Sequence, residues 1–319
     1  PRAIIVHHTV TEDGGVDPAA IVRAIYYYHA VVREWGDIGY NYLVDHLGNV
    51  YEGRAGGPGV VGGHALRYNG GSIGVALIGD YQNNAVPIAM QDSLAEFLAW
   101  QCTDHYIHPT EERYFIDQNL PTIMGHRDCA ATACPGDQAY ALLPTLRAQV
   151  LADMAHVPPR LNLIAPTAGQ LVRAVATCSL DTSAVVERVE YYVDDALRAI
   201  ATVSPFTWKW NTLDESAGAH VLRAVAYNAG GQDDDQVSVM VDNTPPSGMV
   251  SAPTWSNSTN ISLTLQSADA TLVQFSNGWI WEGEDLYHQP NTGQAVQDAD
   301  ALNGQAWQGR VGSDAAGAW

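Results

Sequence analysis

Hydrophobic and polar residues follow two different periods in the first half of the chain. Three short runs rich in β-branched or aromatic residues predict buried strands, at residues 3–7, 40–44 and 73–78. Three longer segments have helical spacing, at residues 18–32, 90–103 and 138–154. Asp17 before Pro18 is a typical start for the first helix. We therefore expect residues 1–155 to form an α/β domain, with a mixed central sheet flanked by helices.

The pattern changes after residues 156–160, a proline-containing segment that predicts a linker. From residue 161 onward, apolar and polar positions alternate. Val189, Tyr191 and Val193, for example, share one face of a predicted strand. Glycine-, asparagine- and aspartate-rich turns separate several such strands, and the segment is similar to bacterial immunoglobulin-like (Ig-like) modules. Residues 161–243 are therefore expected to form an all-β Ig-like sandwich.

A second predicted linker, residues 244–248, precedes the final part of the chain. Residues 249–319 contain short strand-like pieces followed by a polar stretch rich in glycine and aspartate, which indicates an incomplete or partly ordered β region. This region holds four tryptophans that suit contact with a cell-surface glycan, although unpaired aromatic residues also occur in an incomplete core: Trp279, Trp281, Trp307 and Trp319.

Composition and charge narrow the classes of protein that fit. The chain has 319 residues, of which 46% are hydrophobic and 16% charged, as expected for two or three globular domains. It lacks an apolar run of about 18 residues, so we expect no transmembrane helix. It begins at Pro1, directly before the first strand and without a signal peptide, which favours a mature chain or a fragment. The net charge of −20 argues against nucleic acid as a partner.

The strongest chemical signal is a loop with the sequence GHRDCAATACPGD, at residues 125–137. It places His126 eight residues before Cys134, and both side chains bind borderline metals. A third ligand would come from His7 at the end of the first strand. Two histidines and one cysteine suit Zn²⁺ and leave a fourth position for water, as in catalytic sites. His8 points to the opposite face of the strand, and we expect it to be a packed core histidine.

The loop is one of six segments, in matching order, through which residues 1–155 resemble the type 2 N-acetylmuramoyl-L-alanine amidases. That family includes the peptidoglycan recognition proteins. The segments are residues 5–9, 35–45, 48–54, 63–64, 72–81 and 125–137. The resemblance covers about half of the chain and implies the amidase/peptidoglycan-recognition fold.

The resemblance also implies roles for individual residues. It makes His7, His126 and Cys134 the metal ligands of a zinc site, and Tyr40 and Thr132 the catalytic residues. Without the resemblance, ordinary strand packing would be the favoured interpretation of Tyr40.

Three further positions are weaker candidates for contacts with the substrate. The resemblance makes His64 a substrate contact, and Asn69 follows in the same loop. Arg54 would either line the groove or bridge two loops.

The implied activity is hydrolysis of the amide between N-acetylmuramic acid and L-alanine in peptidoglycan, by a protein that is secreted or held at the cell envelope. Peptidoglycan is then the partner and Zn²⁺ the cofactor. The alternative is a non-catalytic module that recognises peptidoglycan or anchors a surface protein. The Ig-like region motivates the anchoring alternative, whereas Cys134 and Tyr40 favour the enzyme.

Overall fold

The computed structural model describes residues 1–243 and, beyond them, only the backbone of short strands. The chain divides into two compact units, Pro1–Asp242 and Asn243–Trp319. Among the described residues, no helix combines the length and the apolar character needed to span a bilayer. The first unit contains an α/β domain followed by an all-β domain, as the sequence pattern predicts.

The α/β domain is built on a mixed five-stranded sheet in the order β3-β2-β4-β1-β7. Strands β2, β4, β1 and β7 are parallel to one another, and β3 pairs antiparallel with β2 at the edge. A separate hairpin, β5–β6, lies outside this sheet. The strands are β1 (Ala3–His8), β2 (Tyr42–Val44), β3 (Val50–Glu52), β4 (Ser72–Leu77), β5 (Glu112–Phe115), β6 (Gln118–Pro121) and β7 (Ile123–Gly125).

Four α-helices complete this domain: α1 (Pro18–Tyr27), α2 (Ile88–Asp104), α3 (His126–Cys129) and α4 (Asp137–Asp153). A π-helical turn, Tyr28–Val32, extends α1, and a 3₁₀ turn, Met154–His156, follows α4. The predicted cap is confirmed, because the Asp17 side chain accepts a hydrogen bond from the backbone N–H of Ala20. Apolar residues of α2 and α4 pack with Ile4 and Val6 of β1 in the main core.

The hairpin covers the other face of the sheet, where Phe115 and Leu120 pack with Ile5 of β1. Because side chains alternate along a strand, His7 lies on the same face as Ile5. The predicted strand at residues 40–44 was wrong at its start, since β2 begins at Tyr42 and Tyr40 lies in a bend. The chain bends there because the Gly39 carbonyl accepts a hydrogen bond from the N–H of Gly63 before pairing with the sheet begins.

The second domain is a sandwich of two sheets, ordered β13-β10-β8 and β12-β11-β14-β15-β9. Val189, Tyr191 and Val193 are buried and face its core, as predicted. Trp210 is also buried and stacks on the partly buried Trp208, so both rings pack in the core of this domain. The strands are β8 (Leu161–Ala165), β9 (Leu171–Val172), β10 (Val175–Thr182), β11 (Arg188–Val193), β12 (Ala196–Ala201), β13 (Trp208–Asn211), β14 (Gly218–Asn228) and β15 (Gly231–Val241), with a 3₁₀ turn at Thr212–Asp214.

The two domains of the first unit are held together by a network that we call the junction. The side-chain amide of Asn228 donates to three carbonyls, those of Met154 (3.3 Å), Val157 (2.9 Å) and Val185 (3.1 Å). Gly230 lies against the 3₁₀ turn so closely that a Cβ would stand 2.4 Å from the His156 carbonyl carbon. The segment predicted as a linker, residues 156–160, thus lies inside a compact unit.

The second unit contains a five-stranded sheet in the order β16-β17-β22-β20-β19 and two strand pairs, β18 with β21 and β23 with β24. The four tryptophan side chains proposed for glycan contact lie outside the described residues. The strands are β16 (Gly248–Ser251), β17 (Asn260–Ser267), β18 (Val273–Gln274), β19 (Trp279–Glu282), β20 (Asp285–His288), β21 (Ala295–Val296), β22 (Ala306–Val311), β23 (Ser313–Asp314) and β24 (Gly317–Ala318).

Candidate metal and substrate site

His7, His126 and Cys134 meet at one edge of the central sheet, with one potential ligand atom from each lying within 4.8 Å of the others. His7 lies near the end of β1, and His126 follows β7 directly. Because β1 and β7 are parallel neighbours, their carboxyl ends reach the same edge. The rings of His7 and His126 are 4.5 Å apart, and Cys134 Sγ lies 3.6 Å from His7 Nδ1.

The loop that carries His126 and Cys134 is fixed by its own charged residues. The Arg127 guanidinium donates to Asp137 (2.8 Å) and to the Ala133 carbonyl, and the Arg127 N–H donates to the carbonyl of Cys134 (2.9 Å). Asp128 instead accepts from the Gly125 N–H, 2.8 Å away, and from the Tyr140 hydroxyl. Arg127 and Asp128 therefore close the two ends of the loop and do not pair with each other.

The surroundings of Cys134 keep its thiol protonated unless a cation lies in direct contact with the sulfur. Burial raises the pKa of this thiol to about 11, even though its sulfur accepts a backbone hydrogen bond from the N–H of His8 (3.4 Å). A thiolate at this position therefore needs a cation in direct contact. The donor set of two imidazoles and one sulfur is the set that Zn²⁺ binds in proteins.

His64 approaches the site from a different loop and contacts His7 on the side away from Cys134. Its Nδ1 lies 3.0 Å from His7 Nε2. Burial lowers the pKa of His7 well below its ordinary value, and the neighbouring His64 and His126 add smaller effects in the same direction. Burial, followed by His126 and Arg54, lowers the pKa of His64 to about 3. Both rings are thus neutral, and His7 can offer Nδ1 to a metal while its Nε2–H donates to His64.

The position of His64 is built into the sheet and the loop around it. A Cβ at Gly74 in β4 would stand 2.3 Å from His64 Cγ, so the imidazole needs glycine beneath it. The Asn69 side-chain oxygen accepts the backbone N–H groups of His64 (2.9 Å) and Ala65 (2.7 Å). Asn69 was predicted as a substrate contact. In the structure its side-chain oxygen fixes the loop that carries His64.

Tyr40 forms another wall of the site. Its ring lies 5.3 Å from that of His7 and 5.6 Å from that of His29. Burial, with a further contribution from Cys134, raises the pKa of the Tyr40 hydroxyl far above its ordinary value. The phenol therefore stays protonated and is suited to donate a hydrogen bond.

Thr132 and Arg54 lie at the margin of the site. The Thr132 hydroxyl accepts a hydrogen bond from the N–H of Cys134 (3.2 Å) and is exposed. Arg54 donates through Nε to the Ile38 carbonyl (2.8 Å), which joins two loops. The structure thus favours the bridging role that the sequence left open for Arg54. Its charge remains close enough to lower the pKa of His64.

No role at the site is predicted for His29, whereas His8 is the packed core histidine expected from its position on β1. His29 is buried, accepts a hydrogen bond from the Gly39 N–H (3.1 Å) and contacts the ring of Trp35. It therefore fixes the bend that presents Tyr40. His8 is a packed histidine whose Nδ1 accepts from the N–H of Tyr81 (3.2 Å). For His29 the only signal in the sequence is a lone histidine in a tyrosine-rich helix, which does not identify Gly39 as its partner.

Comparison with known proteins identifies both domains of the first unit. Residues 1–137 match the family model described as N-acetylmuramoyl-L-alanine amidase, and residues 159–224 match a bacterial Ig domain. Peptidoglycan recognition protein 1 of Bos taurus is 32% identical over 148 residues, which are 44% of this chain and 70% of that protein. Peptidoglycan-recognition protein LB of Drosophila melanogaster is 31% identical over 141 residues, or 43% of this chain.

The match spans 56% of the length of protein LB, little more than half. A solved structure of wild-type Drosophila PGRP-LB aligns with 45% of this chain and 79% of that chain, at 30% identity and a TM-score of 0.37. The segment that the amidase family model covers contains His7, His126 and Cys134. The chain thus belongs to the N-acetylmuramoyl-L-alanine amidase family and carries a bacterial Ig domain after its amidase fold.

Proposed function

We propose that this protein is a zinc-dependent amidase that hydrolyses the amide between N-acetylmuramic acid and L-alanine in peptidoglycan. The observation that carries the proposal is the convergence of His7, His126 and Cys134 within 4.8 Å, with Tyr40 and His64 packed against His7. In this proposal the amidase domain comprises residues 1–155, and the Ig domain comprises residues 161–243.

The three candidate ligands fit a catalytic zinc site better than a structural one. Structural zinc sites use four protein ligands, whereas three leave a position open for water or substrate. A bound zinc ion would supply Lewis acidity, which activates water near neutral pH and polarises a carbonyl oxygen. The neutral states of His7 and His126, both favoured by burial, keep the nitrogen lone pairs available for binding.

The chain's own residues would act on the substrate amide as follows. The protonated phenol of Tyr40 donates a hydrogen bond to the carbonyl oxygen as negative charge develops there. The Thr132 hydroxyl already accepts from Cys134, so its own proton is free to reach a second substrate oxygen. His64 orients the His7 ring through the bond between Nδ1 and Nε2 and acts as a positioning residue.

The second candidate function is recognition of peptidoglycan without hydrolysis. The names of the bovine and Drosophila relatives favour it, since both are peptidoglycan recognition proteins. Cys134 argues for the enzyme, because its sulfur converges with His7 and His126 as a third potential metal ligand, which recognition alone does not require. In either case peptidoglycan is the proposed partner, and the protein would act outside the cytoplasm, secreted or at the cell envelope.

Mass spectrometry of products from purified peptidoglycan tests the proposal. The protein is incubated with the wall after zinc loading and, in parallel, after treatment with a chelator. We expect free stem peptides that begin with L-alanine, lost on chelation and restored by zinc. Binding to the wall without peptide release in the zinc-loaded sample would contradict the amidase and favour the recognition module.

A further inference from the structure

A second cleft lies between the amidase domain and the Ig domain, away from the residues proposed for catalysis. Its volume is about 480 Å³, which is within the range of sites for small ligands. The amidase domain contributes Tyr106, His108 and Glu111, and the Ig domain contributes Thr182, Thr202 and Ser204. We call this space the junction cleft. Domain boundaries are frequent places for such sites.

Four of the Ig residues that line the junction cleft carry hydroxyls, alongside apolar residues that include Val203 and Phe206. The side chains of Thr182, Thr202 and Ser204 make no hydrogen bond to any residue in the described part of the chain. Each hydroxyl donates one hydrogen bond and accepts others. Thr202 and Ser204 are exposed in the loop after β12, so both can reach a ligand. A wall of this kind matches a ligand that also carries many hydroxyls.

The amidase side of the cleft adds an aromatic ring and planar polar groups. Tyr106 is half-buried, and its backbone has φ of +55°, a conformation that non-glycine residues rarely adopt. Aromatic faces pack well against the C–H faces of sugar rings, while a phenol hydroxyl at the edge bonds to polar groups. The ring and the facing hydroxyls together suit a saccharide.

Charge in the cleft does not favour an anion. The guanidinium of Arg113, which also lines it, donates from two nitrogens to Glu111, at 3.1 and 2.9 Å. The positive charge is therefore already compensated, and Glu111 adds a planar acceptor near it. An anion would therefore find no unpaired guanidinium here. A neutral polyhydroxylated ligand does not need one, because it brings no charge that must be compensated.

The hairpin β5–β6 connects this cleft to the amidase site. Glu111 and Arg113 lie at the base of the hairpin. At its tip, Asp117 accepts from the Arg67 guanidinium (2.9 Å) and from the Tyr68 hydroxyl, next to the loop that holds His64. We propose that the junction cleft binds the neutral N-acetylglucosamine units of the peptidoglycan glycan strand. This inference rests on the proposed function for the identity of the glycan, and adds a site separate from the catalytic one.

Isothermal titration of the full chain with the β-1,4-linked tetramer of N-acetylglucosamine tests this proposal. The tetramer carries no stem peptide and is therefore not an amidase substrate. The test variant is the double substitution Thr202→Val with Ser204→Ala, which removes two exposed hydroxyls. The matched control is Ser238→Ala, an exposed hydroxyl on β15 outside the cleft. Cys134→Ser provides a protein with the amidase site disabled.

We expect saturable binding by the unmodified chain, about tenfold weaker binding by the double variant, and unchanged binding by Ser238→Ala. Cys134→Ser should bind the tetramer as well as the unmodified chain does. Absence of saturable binding would overturn the inference, as would equal binding by the double variant. Loss of binding in Cys134→Ser would overturn it too, by assigning the sugar to the catalytic site. If amidase activity fails while the tetramer still binds as expected, only the proposed function is lost.

Discussion

The amidase site and the Ig domain each contain a buried histidine, but the pKa of the histidine is lowered in the first and raised in the second. His7 is 1% exposed and is surrounded by imidazoles and a thiol, so its pKa lies well below the ordinary value. His220 in the Ig domain is 7% exposed, but its pKa is raised. Burial lowers the pKa of His220, and this effect is outweighed by the Ser216 carbonyl and the Asp194 carboxylate.

The difference lies in the hydrogen-bond partners and not in the degree of burial. His220 Nδ1 lies 2.6 Å from Asp194 Oδ2, and Nε2 lies 2.8 Å from the Ser216 carbonyl oxygen. Both partners are acceptors, so only the protonated ring can satisfy both. His7 has a thiol on one side and the Nδ1 of His64 on the other, which suits a neutral ring with a free lone pair. The hydrogen-bond partners of a buried histidine thus decide whether its ring stays neutral and can bind a metal, or is protonated and carries a charge.

The largest effect is expected for Cys134→Ser, which removes the thiolate from the candidate metal group. Substitution of a group that only supports a metal ligand lowers metal affinity or activity about 10- to 100-fold. Loss of a ligand itself should therefore lower turnover more than about a hundredfold. Zinc content should fall, while the fold should persist because the α/β core does not depend on this loop. Zinc content by mass spectrometry, turnover and circular dichroism measure these outcomes.

Cys129→Ser is the matched control for that variant. Cys129 lies in the same loop and is half-buried, but it is outside the group of converging ligand atoms. It should keep zinc and nearly full turnover. Equal loss of zinc in both variants would contradict the specific role of Cys134.

A smaller loss is expected for His64→Leu, which removes the hydrogen-bond partner of His7 Nε2. Zinc affinity or turnover should fall about 10- to 100-fold, because His7 then loses the group that orients its ring. His64→Gln, which retains a polar partner, should recover part of the loss. Nitrogen chemical shifts of His7, recorded with zinc bound, should change in His64→Leu. A variant with unchanged shifts and full activity would show that His64 does not position His7.

The junction between the two regions is expected to contribute to stability but not to chemistry. Asn228→Ala removes an amide that shares its two N–H groups among three carbonyls and accepts from the N–H groups of Gly230 and Gly231, and we expect the free energy of unfolding to fall by about 1–3 kcal/mol. Urea denaturation measures this change, with turnover at low urea as the activity readout. Asn162→Ala, at an exposed position on β8, is the control and should cost little. Equal stability of the two variants would contradict the role of Asn228.

The smallest effect concerns the pH dependence of the Ig domain. The raised pKa of His220 means that its contribution to stability is complete below its ordinary value and is lost as pH rises through the folded value. The pKa of Asp194 is lowered, chiefly by the N–H of Val221, so its contribution is lost as pH falls through its folded value. Stability from this pair should therefore be greatest between about pH 4 and pH 6.5.

Because the Asp194 side chain is about half exposed, the pair should contribute only about 1 kcal/mol. Thermal unfolding of the unmodified chain and of His220→Gln across about pH 4 to 9 measures it. The difference between the two should shrink as pH rises. A difference that grows toward alkaline pH would show that His220 is neutral in the folded protein.

Most of the fold was predictable where hydrophobic runs are long and buried on both faces. The predicted strands at 3–7 and 73–78 correspond to β1 and β4 with ends shifted by one residue. The predicted helix at 18–32 was less accurate, because its last turn is a π-helix with the Arg33 N–H bonded to the Tyr28 carbonyl. Helical periodicity does not distinguish that turn from an α-helix.

On α4, Leu143 is fully buried, whereas Leu142, one position earlier, packs against the core as a partly buried residue. Both residues fit helical spacing with Leu146, so the sequence pattern alone does not choose between them. The docking of the helix on α2 and the sheet makes the choice.

The candidate ligand set could be predicted from the residue types in the loop and from the family resemblance, whereas the contacts that orient it could not. The bond between His7 and His64 joins residues 57 positions apart, and no local pattern indicates it. Gly74 offered the one usable signal, since glycine inside a buried strand marks a close approach by another group. The junction was missed because Asn228 acts on carbonyls more than 40 residues away.

X-ray absorption at the zinc K-edge of the zinc-loaded protein tests the central claim most directly. The account predicts one sulfur neighbour at about 2.3 Å and nitrogen neighbours at about 2.0–2.1 Å, with the sulfur absent in Cys134→Ser. A spectrum of the unmodified protein with only nitrogen and oxygen neighbours would contradict the assignment of His7, His126 and Cys134 as the zinc ligands.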